Sequence, residues 1–372
     1  MVTALRSEGV DAALVASNDD GAGLMPLPTG QWLDYRGVPV QLFPRWSPPI
    51  RALREFAYTP ALGKWLHTHL RNWDLLHVHS LFSWPASRGM AIARLQGTPY
   101  LIHCLGHLQP WSLDQSALRK RIFLALIERR NLNGASALQA TSAMEAADFA
   151  RLRLRPPALD LPLGVSIPEL REDARARLRH LHPQIDPESP RLLFLSRLHR
   201  KKGLERLLEA LSLLRRRQPQ RPWQLLIAGS GEPAYEQQLR LLASRLGVED
   251  RCHWLGFIRG EAKNWLLQGC DWFVLPSSAE NFGIAAAEAL AAGTPVLLSP
   301  EVGLAPAVAK AGAGLLIPLE PIPLAQSLCD ALDRPRPPFA RAARRLAEEQ
   351  YGWPVLARRM IHAYEGILRS HG

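Results

Sequence analysis

Residues 272–293 read WFVLPSSAENFGIAAAEALAAG, with a strand, a turn and a helix in immediate succession. Residues 272–275 are all apolar, residues 276–278 are turn formers, and an alanine-rich run follows Gly283. A short apolar strand that leads through a turn into a helix is typical of a parallel sheet covered by helices on both faces. The segment therefore predicts an α/β fold.

The same order recurs along the chain. Further short apolar runs, each followed by a turn and an amphipathic segment, lie at residues 12–16, 75–78, 99–104, 192–195, 224–228 and 295–298. Strands that alternate with helices predict doubly wound parallel sheets. With 372 residues, the chain has room for two such domains at about 150 residues each.

One polar segment interrupts this alternation. Residues 182–190 (HPQIDPESP) contain three prolines and no apolar run, so we expect a linker there. The predicted domains are residues 1–181 and 191–350, with a closing helix over residues 351–372. In a tandem of two such domains, we expect the ligand site in the cleft between them.

Composition excludes several classes of protein. Hydrophobic residues make up 47% and charged residues 21%, which excludes disordered and collagen-like chains. No apolar run approaches the roughly 18 residues of a membrane helix. The four cysteines form no CxxC pair or zinc pattern, which favours a reduced, cytoplasmic setting. Lys and Arg outnumber Asp and Glu by 45 to 34, and this excess indicates an anionic partner.

A basic loop follows the apolar run at residues 192–195. It reads SRLHRKKG over residues 196–203, just before a predicted helix. Arg197 and Lys202 can reach an anion placed over the amides of that helix N-terminus. We expect Arg200 and Lys201 to be solvated. A solvated basic turn is the alternative for the whole loop.

A glycine-containing loop, AGSGE at residues 228–232, follows the next strand. Gly229 and Gly231 are expected to let a ligand approach the backbone. The third glycine of the dinucleotide fingerprint is missing at its usual spacing, which disfavours a dehydrogenase.

Two carboxylates accompany the alanine-rich helix. Glu280 precedes the helix and Glu288 lies inside it. Glu288 needs a partner, because burying an unpaired charge is unfavourable. Carboxylates on both sides of a helix N-terminus suit a ligand with hydroxyls at its two ends and a diphosphate in the middle.

Glu280 and Glu288, with Asn281-Phe282-Gly283 between them, resemble the E-x7-E motif of retaining GT-B glycosyltransferases. This family is glycosyltransferase family 4, also called glycosyl transferases group 1. Arg197 and Lys202 resemble its phosphate-binding pair, and the similarity continues through residues 248–257, 291–296 and 311–317. The resemblance implies two Rossmann-like domains facing across a cleft, with residues 351–372 as the helix that packs back on the first domain.

The resemblance also implies a site for a nucleotide-diphosphate-sugar donor. Arg197 and Lys202 would hold the diphosphate, Glu280 the sugar and Glu288 the ribose, so Arg197, Lys202 and Glu280 are the candidate catalytic residues. The other candidate donor-binding residues are Gly229, Gly231, Asn281, Phe282, Gly283 and Glu288.

The implied reaction is transfer of a sugar from a UDP-, GDP- or ADP-sugar to a saccharide or lipid-linked saccharide, as in polysaccharide or glycoconjugate synthesis. The chain contains no D-x-D metal-binding pair. Arg197 and Lys202 can stabilise the departing diphosphate, so we predict metal-independent transfer without a cofactor. The resemblance implies front-face attack with retention and no protein nucleophile.

Histidines mark two predicted strand ends of the first domain. His77 and His79 could suggest a metal, but no third ligand has a fixed spacing and we expect the two to face opposite sides of their strand. We therefore expect structural histidines here, with a metal pair as the alternative. The resemblance places Gly106 in a loop facing the donor sugar. Leu105 stands where the family often has His or Arg, so His103 or His107 would have to replace that contact. The tentative acceptor-side residues are His77, His79, His103, Gly106 and His107.

Basic clusters lie at residues 119–121, 129–130 and 151–155. They suit a peripheral contact with acidic lipids, and solvated helix faces are the alternative. Nucleic acid is disfavoured, because aromatic residues do not interleave with these charges.

The chain opens on a predicted helix over residues 1–8, then a strand over residues 10–17. The first strand and glycine-rich loop of the resembled family are missing from this pattern. We expect that the recorded start lies downstream of the true one or that the acceptor domain is damaged. The alternative function is therefore a non-catalytic nucleotide-sugar-binding protein inactivated by N-terminal truncation.

Overall fold

A computed structural model of the chain describes residues 1–21, 23–50, 54–115 and 117–371. The chain divides into two compact units, which we describe separately. The first comprises Met1–Pro162 and Trp353–Gly372, and the second comprises Leu163–Gly352.

The first unit is built on parallel strands with helices between them. Its strands are β1 (Leu14–Ser17), β2 (Asp19–Asp20), β3 (Gly23–Leu24), β4 (Trp32–Asp34), β5 (Pro39–Phe43), β6 (Leu76–His79), β7 (Tyr100–His103), β8 (Ala137–Ala140) and β9 (Ala158–Asp160). Strands β6-β7-β8-β9 form a parallel sheet in that order, and β1-β5-β4 form a mixed sheet. Strands β2 and β3 form an antiparallel pair.

The helices of the first unit are Val2–Ser7, Pro60–His69, Trp84–Gln96, Pro110–Asp114, Ala117–Phe123, Arg129–Asn133, Ala143–Arg151 and Trp353–Arg369. A π-helical turn, Leu124–Glu128, joins two of them, and a 3-10 turn spans Leu70–Asn72. The last helix buries Met360 and Ile367 in one cluster with Leu5 and Leu101. It is therefore part of the core of this unit.

The second unit contains one six-stranded parallel sheet. Its strands are β10 (Arg191–Leu195), β11 (Gln224–Ala228), β12 (Cys252–Gly256), β13 (Trp272–Leu275), β14 (Val296–Leu298) and β15 (Gly314–Leu316). The order is β12-β11-β10-β13-β14-β15. The chain first builds outward from β10 to β12 and then returns to place β13 on the other side of β10. Ligands of doubly wound sheets bind at this reversal, beyond the carboxyl ends of the strands.

The helices of the second unit are Ala174–Leu181, Leu204–Arg217, Pro233–Arg245, Glu261–Gly269, Ile284–Ala291, Ala305–Ala311, Pro321–Asp333 and Arg336–Gln350. Short 3-10 turns span Arg200–Lys202 and Glu249–Arg251. The helix Leu204–Arg217 shows how these helices pack into the core of the unit. Its residues Leu204, Leu207, Leu208 and Leu211 are all buried. That spacing forms one apolar face of a helix.

The boundary between the units differs from the one predicted. Residues 163–190 group with the second unit, although the sequence placed residues 1–181 in the first domain and a linker at 182–190. Gln224 on β11 holds the supposed linker, because its side-chain amide donates to the carbonyls of Asp186 (2.7 Å) and Ser189 (3.1 Å). Ile185 is buried there. The segment looks like a linker in composition but is packed against the sheet.

Candidate functional site

The loops that follow β10 and β13 are joined at the reversal of the sheet. The carbonyl of Lys201 accepts hydrogen bonds from the backbone N–H of Ser278 (2.8 Å) and from the hydroxyl of Ser277 (2.9 Å). Gly203 has φ +76°, and a Cβ at this position would lie 2.0 Å from the carbonyl oxygen of Pro276. Only glycine allows this close approach, which brings the basic loop against the loop that carries Glu280.

The glycine-containing loop after β11 packs in the same way. A Cβ at Gly229 would lie 1.9 Å from the carbonyl oxygen of Ser196, and Gly231 pairs with Leu198 in an isolated parallel bridge. The side of each glycine that would carry a Cβ thus faces protein backbone. Their observed structural role is to let two loops approach each other. The predicted approach of a ligand to these glycines stays a prediction.

Lys202 and Glu280 form a largely buried ion pair across these loops. The ammonium group contacts Glu280 Oε2, and the two side chains are only 13% and 17% exposed. Burial, together with the neighbouring charges of Lys201 and Arg197, lowers the pKa of Lys202 to about 8. A bound anion would relieve this repulsion.

Arg197 supplies accessible positive charge to the loop. Its side chain is exposed, and it forms no ion pair with any residue that the structure describes. Lys201 was expected to be solvated, but burial and the charge of Arg197 lower its pKa. Arg197, Lys201 and Lys202 therefore form one cationic group at the end of β10.

The backbone around Glu280 is fixed on both sides. Glu280 donates its N–H to the carbonyl of Glu301 (3.0 Å) and accepts from the N–H of Gly303 (2.9 Å). Phe282 is buried and packs edge-on against Tyr351, at 5.6 Å between ring centroids. Asn281 is half-buried. This framework sets the direction of the helix that follows.

Gly283, with φ +99°, is the N-cap residue of the helix Ile284–Ala291. The first amides of a helix have no partner within it and favour negative charge nearby. They begin directly after the Glu280 segment. The predicted donor residues Glu280, Asn281, Phe282 and Gly283 thus lie together at this helix mouth.

Glu288 has a partner that the sequence did not reveal. Lys263, in the helix Glu261–Gly269, donates to Glu288 Oε1 at 2.6 Å. The sequence showed that Glu288 needed a partner, but no spacing motif links the two residues. The site therefore contains two Lys–Glu pairs, Lys202–Glu280 and Lys263–Glu288.

The histidines of the first unit form a packed cluster. The prediction that His77 and His79 face opposite sides of β6 is wrong, because residues two apart on a strand point to the same face. Their ring centroids are 4.3 Å apart. His77 Nδ1 lies 2.7 Å from the hydroxyl of Tyr364, and His79 Nδ1 lies 3.2 Å from His103 Nδ1.

Burial keeps this cluster neutral. Together with repulsion from neighbouring histidines, it lowers the pKa of His79 and of His103 to about 4 in each case. His103 is buried, and its ring is engaged with His79. His107 is half-buried and accepts from the N–H of Leu81 at 3.1 Å. Of the two histidines expected to replace the missing contact at Leu105, only His107 is open to solvent.

The loop at Gly106 is held by a buried carboxylate that the sequence did not reveal. Glu145 Oε1 accepts from the N–H of Gly106 (2.8 Å), and Oε2 accepts from the N–H (2.9 Å) and hydroxyl (2.8 Å) of Thr141. Leu105 and Gly106 both have positive φ, 54° and 70°. Glu145 therefore holds a loop whose backbone conformation is unusual.

Comparison with known proteins identifies the family. Residues 180–350 match the family described as Glycosyl transferases group 1, and residues 1–164 match the Glycosyl transferase 4-like domain. D-inositol 3-phosphate glycosyltransferase from Arthrobacter sp. (strain FB24) is 31% identical over 313 residues, which cover 80% of this chain and 72% of that protein. The chain belongs to glycosyl transferases group 1.

Solved structures show the fold of this group 1 glycosyl transferase. Sucrose-phosphate synthase from Thermosynechococcus elongatus has a TM-score of 0.79 at 22% identity, covering 99% of this chain and 92% of that one. HepE from Anabaena, in complex with UDP and glucose, has a TM-score of 0.75 at 21% identity, covering 98% and 94%. The predicted family and GT-B fold class are confirmed.

The part of this glycosyl transferase that the structure describes contains neither a group of side chains suited to a metal ion nor a membrane-spanning helix. No group of three or more His, Cys, Asp or Glu side chains there is arranged to hold a metal ion. No helix within the same residues is both long enough and apolar enough to cross a membrane.

Proposed function

We propose that this glycosyl transferase moves a sugar from a nucleotide-diphosphate donor to a saccharide or lipid-linked saccharide, in polysaccharide or glycoconjugate synthesis. The observation that carries the proposal is the contact of Lys202 with Glu280 at the reversal of the sheet. Lys202 would bind the diphosphate, and Glu280 beside it would accept from sugar hydroxyls. Glu288 lies on the helix that starts there and would accept from the ribose.

The same residues support a metal-independent mechanism. When the bond between the sugar and the diphosphate breaks, negative charge develops on the departing phosphate oxygen. Arg197 and Lys202 would stabilise that charge more strongly than the charge of the bound donor, which is the condition for catalysis. For retention we propose front-face attack, in which the departing phosphate oxygen takes the proton of the acceptor hydroxyl. No side chain is needed as nucleophile.

Donor binding is the first test. Thermal shift with UDP, GDP, ADP and their glucose conjugates identifies the nucleotide, since a ligand of the folded state raises its melting temperature. UDP comes first because HepE was solved with UDP and glucose. Calorimetry then compares Arg197→Ala with Arg217→Ala, which removes an exposed arginine at the far end of the helix Leu204–Arg217. Loss of binding in Arg197→Ala alone supports the proposal, and equal binding in both variants contradicts it.

Turnover is the second test. Transfer at the same rate with a divalent metal and with EDTA supports the metal-independent mechanism. An α-linked product from an α-linked donor, read by NMR, supports retention. Donor binding without release of nucleotide would instead favour the non-catalytic alternative.

We also propose that the first unit contacts an anionic membrane surface. Leu118, Ile122 and Leu126 recur every four residues along the helix Ala117–Phe123 and the π-helical turn after it, and they are 75%, 50% and 76% exposed. Exposed arginines surround this stripe, at positions 119, 121, 129 and 130. We call these seven residues the basic apolar face.

Solvent exposure of large aliphatic side chains in a row is unfavourable unless another surface covers them. Acidic lipids would cover both parts of the basic apolar face, since the aliphatic side chains would enter the headgroup region and the arginines would contact lipid phosphates. The basic clusters were visible in the sequence, whereas the exposure of the aliphatic stripe was not. A lipid-linked acceptor would be found at such a surface.

A further inference from the structure

The ion pair of Lys263 and Glu288 raises a question that the proposed donor site does not answer. Glu288 was expected to accept hydrogen bonds from ribose hydroxyls, yet its Oε1 already accepts one from the ammonium group of Lys263 at 2.6 Å. The side chains of Lys263 and Glu288 are 27% and 29% exposed. The pair is therefore packed on one side and open to a ligand on the other.

The electrostatics of the site explain why a cation is useful there. A nucleoside diphosphate carries negative charge, and a bare carboxylate nearby would repel it through the weakly screened surroundings of a half-buried site. Glu280 is compensated by Lys202, and Glu288 is compensated by Lys263. With both carboxylates neutralised, the cationic group of Arg197, Lys201 and Lys202 keeps a net positive charge that can act on the diphosphate.

The Glu288 carboxylate has enough acceptor positions to bind Lys263 and ribose hydroxyls at the same time. A carboxylate oxygen has two acceptor positions, so Glu288 Oε1 can keep the bond from Lys263 and still accept one hydroxyl. Oε2 is left for the second hydroxyl. The lysine fixes the plane of the carboxylate, which would otherwise rotate at the surface of an alanine-rich helix.

We propose that Lys263 is a positioning residue for the nucleotide, orienting and neutralising Glu288 so that the ribose diol and the diphosphate bind in one site. This inference rests on the proposed donor specificity. We expect loss of Lys263 to weaken nucleotide binding. We also expect it to remove the preference for a ribose over a 2′-deoxyribose nucleotide, because a freely rotating carboxylate no longer distinguishes two hydroxyls from one.

Calorimetry measures the affinity for the nucleoside diphosphate that the wild type binds (UDP, GDP or ADP) and for its 2′-deoxy form. Loss of one charge-assisted contact is expected to weaken binding to Lys263→Met by about tenfold. The preference for ribose over deoxyribose should fall toward one in the same variant. Lys263→Arg should restore both values. Lys310→Met removes an exposed lysine of the same unit and should behave as wild type.

Equal affinity of wild type and Lys263→Met, or an unchanged ribose preference in that variant, would overturn the inference while leaving the donor proposal intact. Absence of binding to wild type for all three nucleotides would instead overturn the donor proposal. Should Lys263→Met fail to fold, Lys263→Gln keeps the length and a hydrogen-bond donor but not the charge. An unchanged ribose preference in Lys263→Gln would contradict the inference in the same way.

Discussion

Lys202 contacts Glu280 across 78 residues of sequence, and both side chains are largely buried. The contact joins the first and fourth strands of the second unit at the point where the order of the sheet reverses. The proposed cation for phosphate and the proposed carboxylate for sugar hydroxyls thus hold each other in place. Preorganisation of this kind reduces the side-chain ordering that ligand binding would otherwise require.

Lys202→Met is expected to weaken binding of the nucleoside diphosphate by about 10- to 100-fold, because it removes a charged hydrogen-bond donor from a desolvated site. It should also lower the melting temperature, because Glu280 then stays buried without its partner. Calorimetry and thermal unfolding measure the two effects. Lys310→Met serves as the control, since that lysine is exposed. Nucleotide affinity of Lys202→Met within twofold of wild type would contradict the assignment.

Nucleotide affinity should depend on pH in the alkaline range. The pKa of Lys202 is lowered to about 8, so the side chain is charged below that pH and neutral above it. Affinity for the diphosphate should therefore be constant at neutral pH and fall as pH rises through about 8. Calorimetry over this range measures the fall, which should be absent in Lys202→Met. A wild-type affinity that stays constant up to pH 10 would contradict the role of Lys202.

The strands of the sheets were predictable because their signal is local. The apolar runs at residues 224–228 and 272–275 coincide with β11 and β13. A buried parallel strand requires a short run of apolar residues, and that requirement can be read without knowing the neighbours. The positions of Glu280 and Glu288 relative to their helix followed from the same local pattern.

Contacts between distant residues were not predictable in this way. Gln224 holds the polar, proline-rich segment 182–190 against the sheet through side-chain hydrogen bonds, and Lys263 is the partner of Glu288. Neither residue stands out in its own segment, because a glutamine on a strand and a lysine on an amphipathic helix are ordinary there. Their roles exist only after the sheet and helices have assembled.

Glu145→Gln is expected to destabilise the protein by about 2 to 4 kcal/mol, because the carboxylate accepts three hydrogen bonds while fully buried. An amide has one acceptor oxygen, and its NH₂ group would face one of the former donors. Urea unfolding measures the loss. Glu349→Gln, at an exposed position, should change stability little. Equal stability of the two variants would show that the Gly106 loop does not depend on Glu145.

Membrane contact should depend on the aliphatic residues of the basic apolar face. Replacing both Leu118 and Leu126 by Ser should weaken binding to vesicles of phosphatidylcholine and phosphatidylglycerol by about tenfold or more, since each leucine loses apolar burial. Leu95→Ser is the matched control, because Leu95 is 72% exposed in the same unit but lies outside this face. Co-sedimentation measures binding. If the wild type binds vesicles with and without phosphatidylglycerol equally well, the role of the arginines is contradicted.

The buried histidines should make the protein sensitive to acid. His79 and His103 have a pKa of about 4 in the fold, against 6.5 for an ordinary histidine. The unfolded chain therefore takes up protons first as pH falls, and stability present above pH 6.5 is lost progressively toward pH 4.

Each of these two histidines would contribute a slope of up to about 1.4 kcal/mol per pH unit. The midpoint of urea unfolding at pH 7, 6 and 5 measures this slope. His79→Gln should unfold more easily at neutral pH and show a shallower decline toward acid. His67→Gln, at an exposed position in the same unit, should keep the slope of the wild type. Wild-type stability that is constant between pH 7 and 5 would show that the histidine cluster takes up protons in the fold.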